Sequence, residues 1–231
     1  MTKKIRVLIV DDSALIRQFL SHLLSQDRNI EVVGVAHDPI GAWMKIEALR
    51  PDVLTLDVEM PHMDGLTFLE KLMATTPMPV LMVSALTGDG CDTALRALEL
   101  GAVDIVTKPK VDISRGMEEL SEELIEKVKA AAVARVRRKG YEATSKTVPS
   151  AARSSRHAAS AMFKTPDTIV AIGASTGGTE AVKAVLEVLP PNSPPILITQ
   201  HMPERFTKTW ADRMNSLCRI SVKEAEDGDS V

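Results

Sequence analysis

The chain of 231 residues is 45% hydrophobic but only 3% aromatic, so any core it builds is aliphatic, of the kind that suits sheets covered by helices on both faces. A net charge of −3 gives no overall pull toward nucleic acid or an anionic membrane, and no apolar run approaches the roughly 18 residues a spanning helix needs. Cys91 and Cys218 are too few and too isolated for a disulfide framework or a zinc site, which leaves free thiols in a reducing compartment.

Met-Thr-Lys-Lys leads straight into an apolar run at 5–10 with no signal peptide, so a soluble, cytoplasmic protein is expected. That run lacks period-2 alternation, as a strand buried on both faces should. It ends in Asp11-Asp12. Leu15, Ile16, Phe19, Leu20, Leu23 and Leu24 then recur at helical spacing behind Ser13, a good N-cap. Further strands are expected at 31–36, 53–56, 80–83 and 104–107, and helices at 39–49, 66–75, 92–100 and 117–139. Five strands alternating with five helices imply a parallel sheet with right-handed crossovers.

Four of these strands end on a residue suited to phosphoryl chemistry: Asp11 and Asp12, Asp57, Ser84, and Lys108. Ligands bind beyond the carboxyl ends of strands in an open parallel sheet, so the spacing directs all of them to one crevice. Magnesium needs hard oxygen ligands, which Asp11, Asp12 and Asp57 can supply. A carboxylate can also attack phosphorus, and Asp57, expected deepest in the crevice, is the candidate nucleophile. Lys108 is placed to neutralise charge on the transferred oxygens, and Ser84 to hydrogen-bond the attached phosphoryl group. Taken singly, each has a plainer explanation: Asp pairs cap helices, Lys-Pro often sits in a surface loop, and Ser at a strand end is unremarkable. The convergence on one sheet edge is what favours chemistry.

Val-Asp-Asp-Ser, Leu-Asp-Val-Glu-Met-Pro-His-Met-Asp-Gly, Val-Ser-Ala and Thr-Lys-Pro together resemble the receiver domain of two-component response regulators, over residues 1–130. The resemblance implies a flavodoxin-like fold with strand order 2-1-3-4-5. It implies that Asp57 accepts phosphate from a histidine kinase. It also implies Mg²⁺ held by Asp12, Asp57 and the Glu59 carbonyl, with Asp11 assisting. The chain departs from the pattern at Ile105, where receivers usually carry an aromatic switch residue.

From 140 to 166 periodicity vanishes, and over 131–166, the expected linker, eight Lys/Arg stand against one Glu. Without interleaved aromatics this basic stretch reads as a flexible tether rather than a nucleic-acid patch. A second, smaller α/β unit is expected over 167–231, with strands at 168–173, 196–200 and 219–225 and helices at 179–189 and 204–217. It is short for a sheet that needs helices on both faces, so a truncated unit is expected. Nothing in it resembles a helix-turn-helix.

Gly173-Ala174-Ser175-Thr176-Gly177-Gly178 lies where strand turns to helix, where glycines permit a tight turn and a helix N-terminus can face an oxyanion. Alone, such a turn is more often a phosphate or nucleotide loop, and His201 a helix-capping or core-edge histidine. Joined to Thr-Gln-His-Met-Pro at the end of the next strand, it resembles the catalytic domain of the chemotaxis receptor methylesterase (CheB) family. That resemblance implies Ser175 as nucleophile, His201 as its base and Thr176 as a neighbouring site residue. It implies hydrolysis of glutamate methyl esters and deamidation of glutamines on methyl-accepting chemoreceptors, by a protein peripheral to receptor arrays and not inserted in the membrane. A long flexible tether between a switch unit and an open-faced site leads to the expectation that, in the intact enzyme, the unphosphorylated receiver packs against the active-site edge and restricts access. The family's Gly-Met-Gly-x-Asp-Gly motif, which carries the catalytic Asp, does not occur before Val231, so little or no esterase activity is expected of these 231 residues. The alternative is a phosphorylatable binding module without esterase activity.

Overall fold

The structure, a computed structural model, describes residues 3–61, 63–84, 88–108, 117–136 and 168–230. Its first unit alternates β1 (Ile5–Val10), α1 (Ala14–Leu24), β2 (Ile30–Ala36), α2 (Pro39–Leu49), β3 (Val53–Asp57), α3 (Gly65–Thr75), β4 (Val80–Ser84), α4 (Gly88–Leu100), β5 (Asp104–Thr107) and α5 (Met117–Val133). The five strands are parallel, in the order β2-β1-β3-β4-β5. This is the flavodoxin-like order that the resemblance implies.

Alternation along each strand divides the aliphatic side chains between two layers. Leu8, Val10, Leu54, Leu56, Val80 and Met82 meet residues of α2, α3 and α4 such as Ile46, Phe68, Leu72 and Leu98. Val7, Ile9, Val53, Leu81, Val83 and Val106 meet Leu20 and Leu23 of α1 and Leu124 and Val128 of α5. Burial on both faces is why these strands read as unbroken apolar runs. Asp38 and Asp64 cap α2 and α3 through their carboxylates, and Ser13 caps α1 as expected.

The second unit contains β6 (Val170–Ala174), α6 (Gly178–Leu186), β7 (Ile196–Gln200) and α7 (Glu204–Leu217), with β6 and β7 parallel. Its helices adjoin α4: Val182, Leu186, Phe206, Trp210 and Met214 belong to the same buried cluster as Leu95 and Leu98. Arg213 Nε donates to Glu99 Oε1 at 2.8 Å alongside.

Four expectations need correction. Leu15 is 56% exposed, because Ile16, Leu20, Leu23 and Leu24 form the stripe that meets the sheet. Helix α5 stops at Val133, itself 82% exposed, two residues after its last buried contact at Ala131. Residues 219–225 form no strand. They alternate exposed with half-buried, and Ile220 and Val222 touch the core, yet their backbone has no neighbouring strand among the described residues. Helix α6 ends at Leu186 rather than 189. Of the expected tether, everything from residue 137 lies outside the described residues.

Candidate functional site

The carboxyl ends of β1, β3, β4 and β5 bring Asp11, Asp57, Ser84 and Lys108 together. Asp11 and Asp57 are 0% and 1% exposed, so Asp57 is no deeper than Asp11, contrary to expectation. Lys108 Nζ donates to Asp57 Oδ2 at 2.6 Å and lies 3.2 Å from Asp11 Oδ2. The backbone N–H of Lys108 donates to the carbonyl of Ser84 at 2.7 Å, which ties the cation's strand to the hydroxyl's. Asp57 Oδ1 accepts from the Glu59 N–H at 3.2 Å, and Asp11 Oδ1 from the Ser13 N–H at 2.8 Å. Asp12 is exposed at the rim. A groove of about 540 Å³ opens beside it, lined by Asp12, Glu59, Met60, Asp64 and, from α4, Thr93.

Burial pushes the Asp57 carboxyl up to about 6, and the charge of Asp11 adds to the rise; the Lys108 hydrogen bond opposes both. Burial alone would lower Lys108, but its hydrogen bond to Asp57 and the charges of Asp57 and Asp11 outweigh it and hold the ammonium above its usual value. Lys108 pairs with two carboxylates, Asp57 and Asp11, and one oxygen from each of Asp11, Asp12 and Asp57 lies within 4.8 Å of the others. Asp11 Oδ2 is buried without a hydrogen bond, although Lys108 is at ion-pair distance. Hard oxygens, excess negative charge and an unsatisfied buried acceptor fit a divalent cation such as Mg²⁺.

Two supports of this pocket escaped the sequence reading. Arg17 Nη1 donates to the carbonyls of Asp11 and Asp12, at 2.7 and 2.9 Å, and so holds the acidic turn from α1. At Gly65 a Cβ would lie 2.0 Å from the carbonyl oxygen of Asp57, so only glycine lets α3 start against the end of β3. The Asp-Gly of the long motif was the available signal.

In the second unit β6 ends at Ala174 and β7 at Gln200, paired side by side. The next residue of each is therefore Ser175 and His201, and Ser175 Oγ lies 3.4 Å from His201 Nδ1. Both side chains are exposed, and Thr176 is half-buried beside them. Gly177, at φ 74°, makes the turn into α6. The Gly178 N–H is already donated to the Ser175 carbonyl at 2.7 Å, so that amide of the helix N-terminus is not available to an oxyanion. Among the described residues no carboxylate is bonded to the His201 ring. The receiver reaches this unit through α4 against α6 and α7 and leaves Ser175 and His201 uncovered.

A serine–histidine pair on one sheet edge and an acidic pocket with a buried lysine contact on another lie in one chain, and two family models match it. The response regulator receiver domain matches residues 7–121, and CheB methylesterase matches residues 170–231. The response regulator domain of Thermotoga maritima CheB is 41% identical with a TM-score of 0.52, over 58% of this chain and 99% of that one. The chain belongs to the CheB family. A CheB relative from Geobacter metallireducens, named protein-glutamate methylesterase/protein-glutamine glutaminase 1, is 58% identical over 230 residues, 100% of this chain and 63% of the relative. Another, from Paraburkholderia xenovorans, is 54% identical over 236 residues, 99% of this chain and 64% of the relative. The chain thus spans a little under two thirds of the length of these CheB proteins. No described helix is long and apolar enough to cross a membrane.

Proposed function

We propose that this chain is the phosphorylation switch and the nucleophile-bearing part of a chemoreceptor methylesterase. Residues 1–130 form the receiver, 131–166 the tether and 167–231 the first part of the methylesterase unit. Asp57 is the phosphoacceptor toward a chemotaxis histidine kinase. Lys108 neutralises charge on the transferred oxygens, Ser84 hydrogen-bonds the phosphoryl group, and Asp11 shares the pocket. Asp12, Asp57 and the Glu59 carbonyl hold Mg²⁺, which supplies charge neutralisation when bound. The protein acts in the cytoplasm, on methyl-accepting chemoreceptors.

In the second unit Ser175 Oγ attacks the ester carbonyl of a glutamate methyl ester and gives its proton to His201 Nδ1, which returns it to the departing methoxide to release methanol. Water then hydrolyses the acyl-serine with His201 again as base, and deamidation follows the same path with ammonia leaving. Thr176 borders the site. The observation that carries this reading is Ser175 Oγ set 3.4 Å from His201 Nδ1 in the same chain as the Lys108–Asp57 pair at 2.6 Å. Helix α4 links them, since Thr93 lines the phosphoryl groove while Leu95 and Leu98 share a cluster with α6 and α7. Phosphorylation shifts the population of this docked arrangement.

Methanol release from methylated receptor membranes tests the reading. Protein of its relatives' full length should be stimulated by an acyl phosphate, and Asp57→Asn should abolish the stimulation. Stimulation that survives Asp57→Asn refutes it. One observation favours a second reading for these 231 residues alone, a phosphorylatable module without esterase activity. The His201 ring has no carboxylate partner among the described residues, and loss of such a partner costs on the order of 10⁴ in rate in serine proteases. Turnover by the 231-residue chain close to that of the longer protein would exclude this second reading.

A further inference from the structure

Gln200 closes β7 beside Ala174, which closes β6. Its side-chain Nε2 donates to two carbonyls at once, that of Ser175 at 2.9 Å and that of His201 at 3.3 Å. The His201 N–H donates to the Ala174 carbonyl at 2.9 Å. One primary amide therefore joins the backbones of the two residues whose side chains meet. No other side chain among the described residues bonds to both.

The other end of this amide is enclosed but not bonded. Gln200 Oε1 is buried without a hydrogen-bond partner. It lies against the first residue of α6, where a Cβ on Gly178 would come within 2.3 Å of it and 2.7 Å of Ala174 Cβ. Turning the amide over would aim Oε1 at two carbonyl oxygens and replace two donated bonds by two repulsions, so the donor end must face Ser175 and His201. A buried acceptor without a partner is a standing free-energy cost, and such groups call for an explanation beyond stability. The glycine-rich turn supplies no stiffness of its own, because Gly177 and Gly178 leave the backbone many conformations.

We propose that Gln200 is the positioning residue of the ester-hydrolysing site, its amide fixing the Ser175 turn against the His201 backbone and so setting the distance from Oγ to Nδ1. The inference rests on the reading of Ser175 and His201 as nucleophile and base. Gln200 bonds to the carbonyls of Ser175 and His201 rather than to their side chains, and so acts through two main chains.

The test uses the 231-residue chain labelled with ¹⁵N and reads the ring nitrogens of His201 by NMR across pH. Ser175→Ala is introduced into the parent chain, into Gln200→Met (equal length, no donor) and into Gln200→Glu (equal shape, acceptors only). Thr199→Ala, an exposed neighbour on β7, is the control. Removing the Ser175 hydroxyl should shift the His201 nitrogens in the parent and in Thr199→Ala. That shift should be lost in both Gln200 variants, with the amide signals of β6 and α6 still dispersed. A shift of equal size in the parent and the Gln200 variants overturns the role of Gln200 and leaves the proposed function standing. No shift in the parent overturns the Ser175–His201 pairing itself. Collapse of the amide dispersion of the second unit in both Gln200 variants also overturns the proposal, because Gln200 would then be a structural residue.

Discussion

Replacing Asp57 by Asn tests the electrostatics of the acidic pocket. Burial, helped by Asp11, raises this carboxyl from 3.8 to about 6. At roughly 1.4 kcal/mol per unit, keeping it ionised near pH 7.5 costs the fold at most about 3 kcal/mol. The sign follows from proton binding. The folded protein holds this proton more tightly than the unfolded chain, so its contribution to stability is full below about pH 4, falls as pH rises to about 6, and is level above that. Asn carries no charge and shows no such fall, though it gives up the charge-assisted bond to Lys108. Asp57→Asn should therefore gain about 1–2 kcal/mol over the parent near pH 7.5 and nothing near pH 4. Urea unfolding followed by circular dichroism between these limits measures the difference. Mg²⁺ should narrow it, because a cation that binds only the folded, ionised site stabilises the parent by mass action. A difference that does not change with pH would refute the reasoning.

Gly65→Ala places a methyl 2.0 Å from the Asp57 carbonyl oxygen and should cost more than about 2 kcal/mol in urea unfolding and reduce phosphorylation. Lys127 is 3% exposed and donates to the Ile105 carbonyl at 2.5 Å and lies 2.9 Å from Glu123 Oε1. Lys127→Met leaves those acceptors behind and should cost about 2 kcal/mol by thermal unfolding. Trp210→Ala removes a side chain that is 8% exposed in the cluster shared with α4 and should cost about 3–5 kcal/mol, lost by the second unit and its docking together. Glu99→Ala, which breaks only the half-exposed pair with Arg213, should cost no more than about 1 kcal/mol in the same assay.

The receiver was legible because its strands are buried on both faces, so each appears as an apolar run that stops where chemistry begins. Topology then brought Asp11, Asp57, Ser84 and Lys108 to one edge. The start of α4 was less visible: Gly88 and Gly90 are weak helix formers, and the helix forms there all the same. Residues 219–225 alternate like a strand, but pairing is non-local, and no neighbouring strand among the described residues meets them. Gln200 sits inside the Thr-Gln-His-Met-Pro motif with no role visible in sequence, because its partner at Ser175 lies 25 positions away and only the pairing of β6 with β7 brings it near. The resemblance supplied Ser175 and His201, and the register of those two strands explains why they meet.

Treating the chain with an acyl phosphate and Mg²⁺, then mapping the modified peptide by mass spectrometry, tests the central claim most directly. One phosphoryl group on Asp57, sensitive to hydroxylamine and absent from Asp57→Asn, is the expected result. Phosphorylation that persists in Asp57→Asn, or none in the parent chain, would contradict the account.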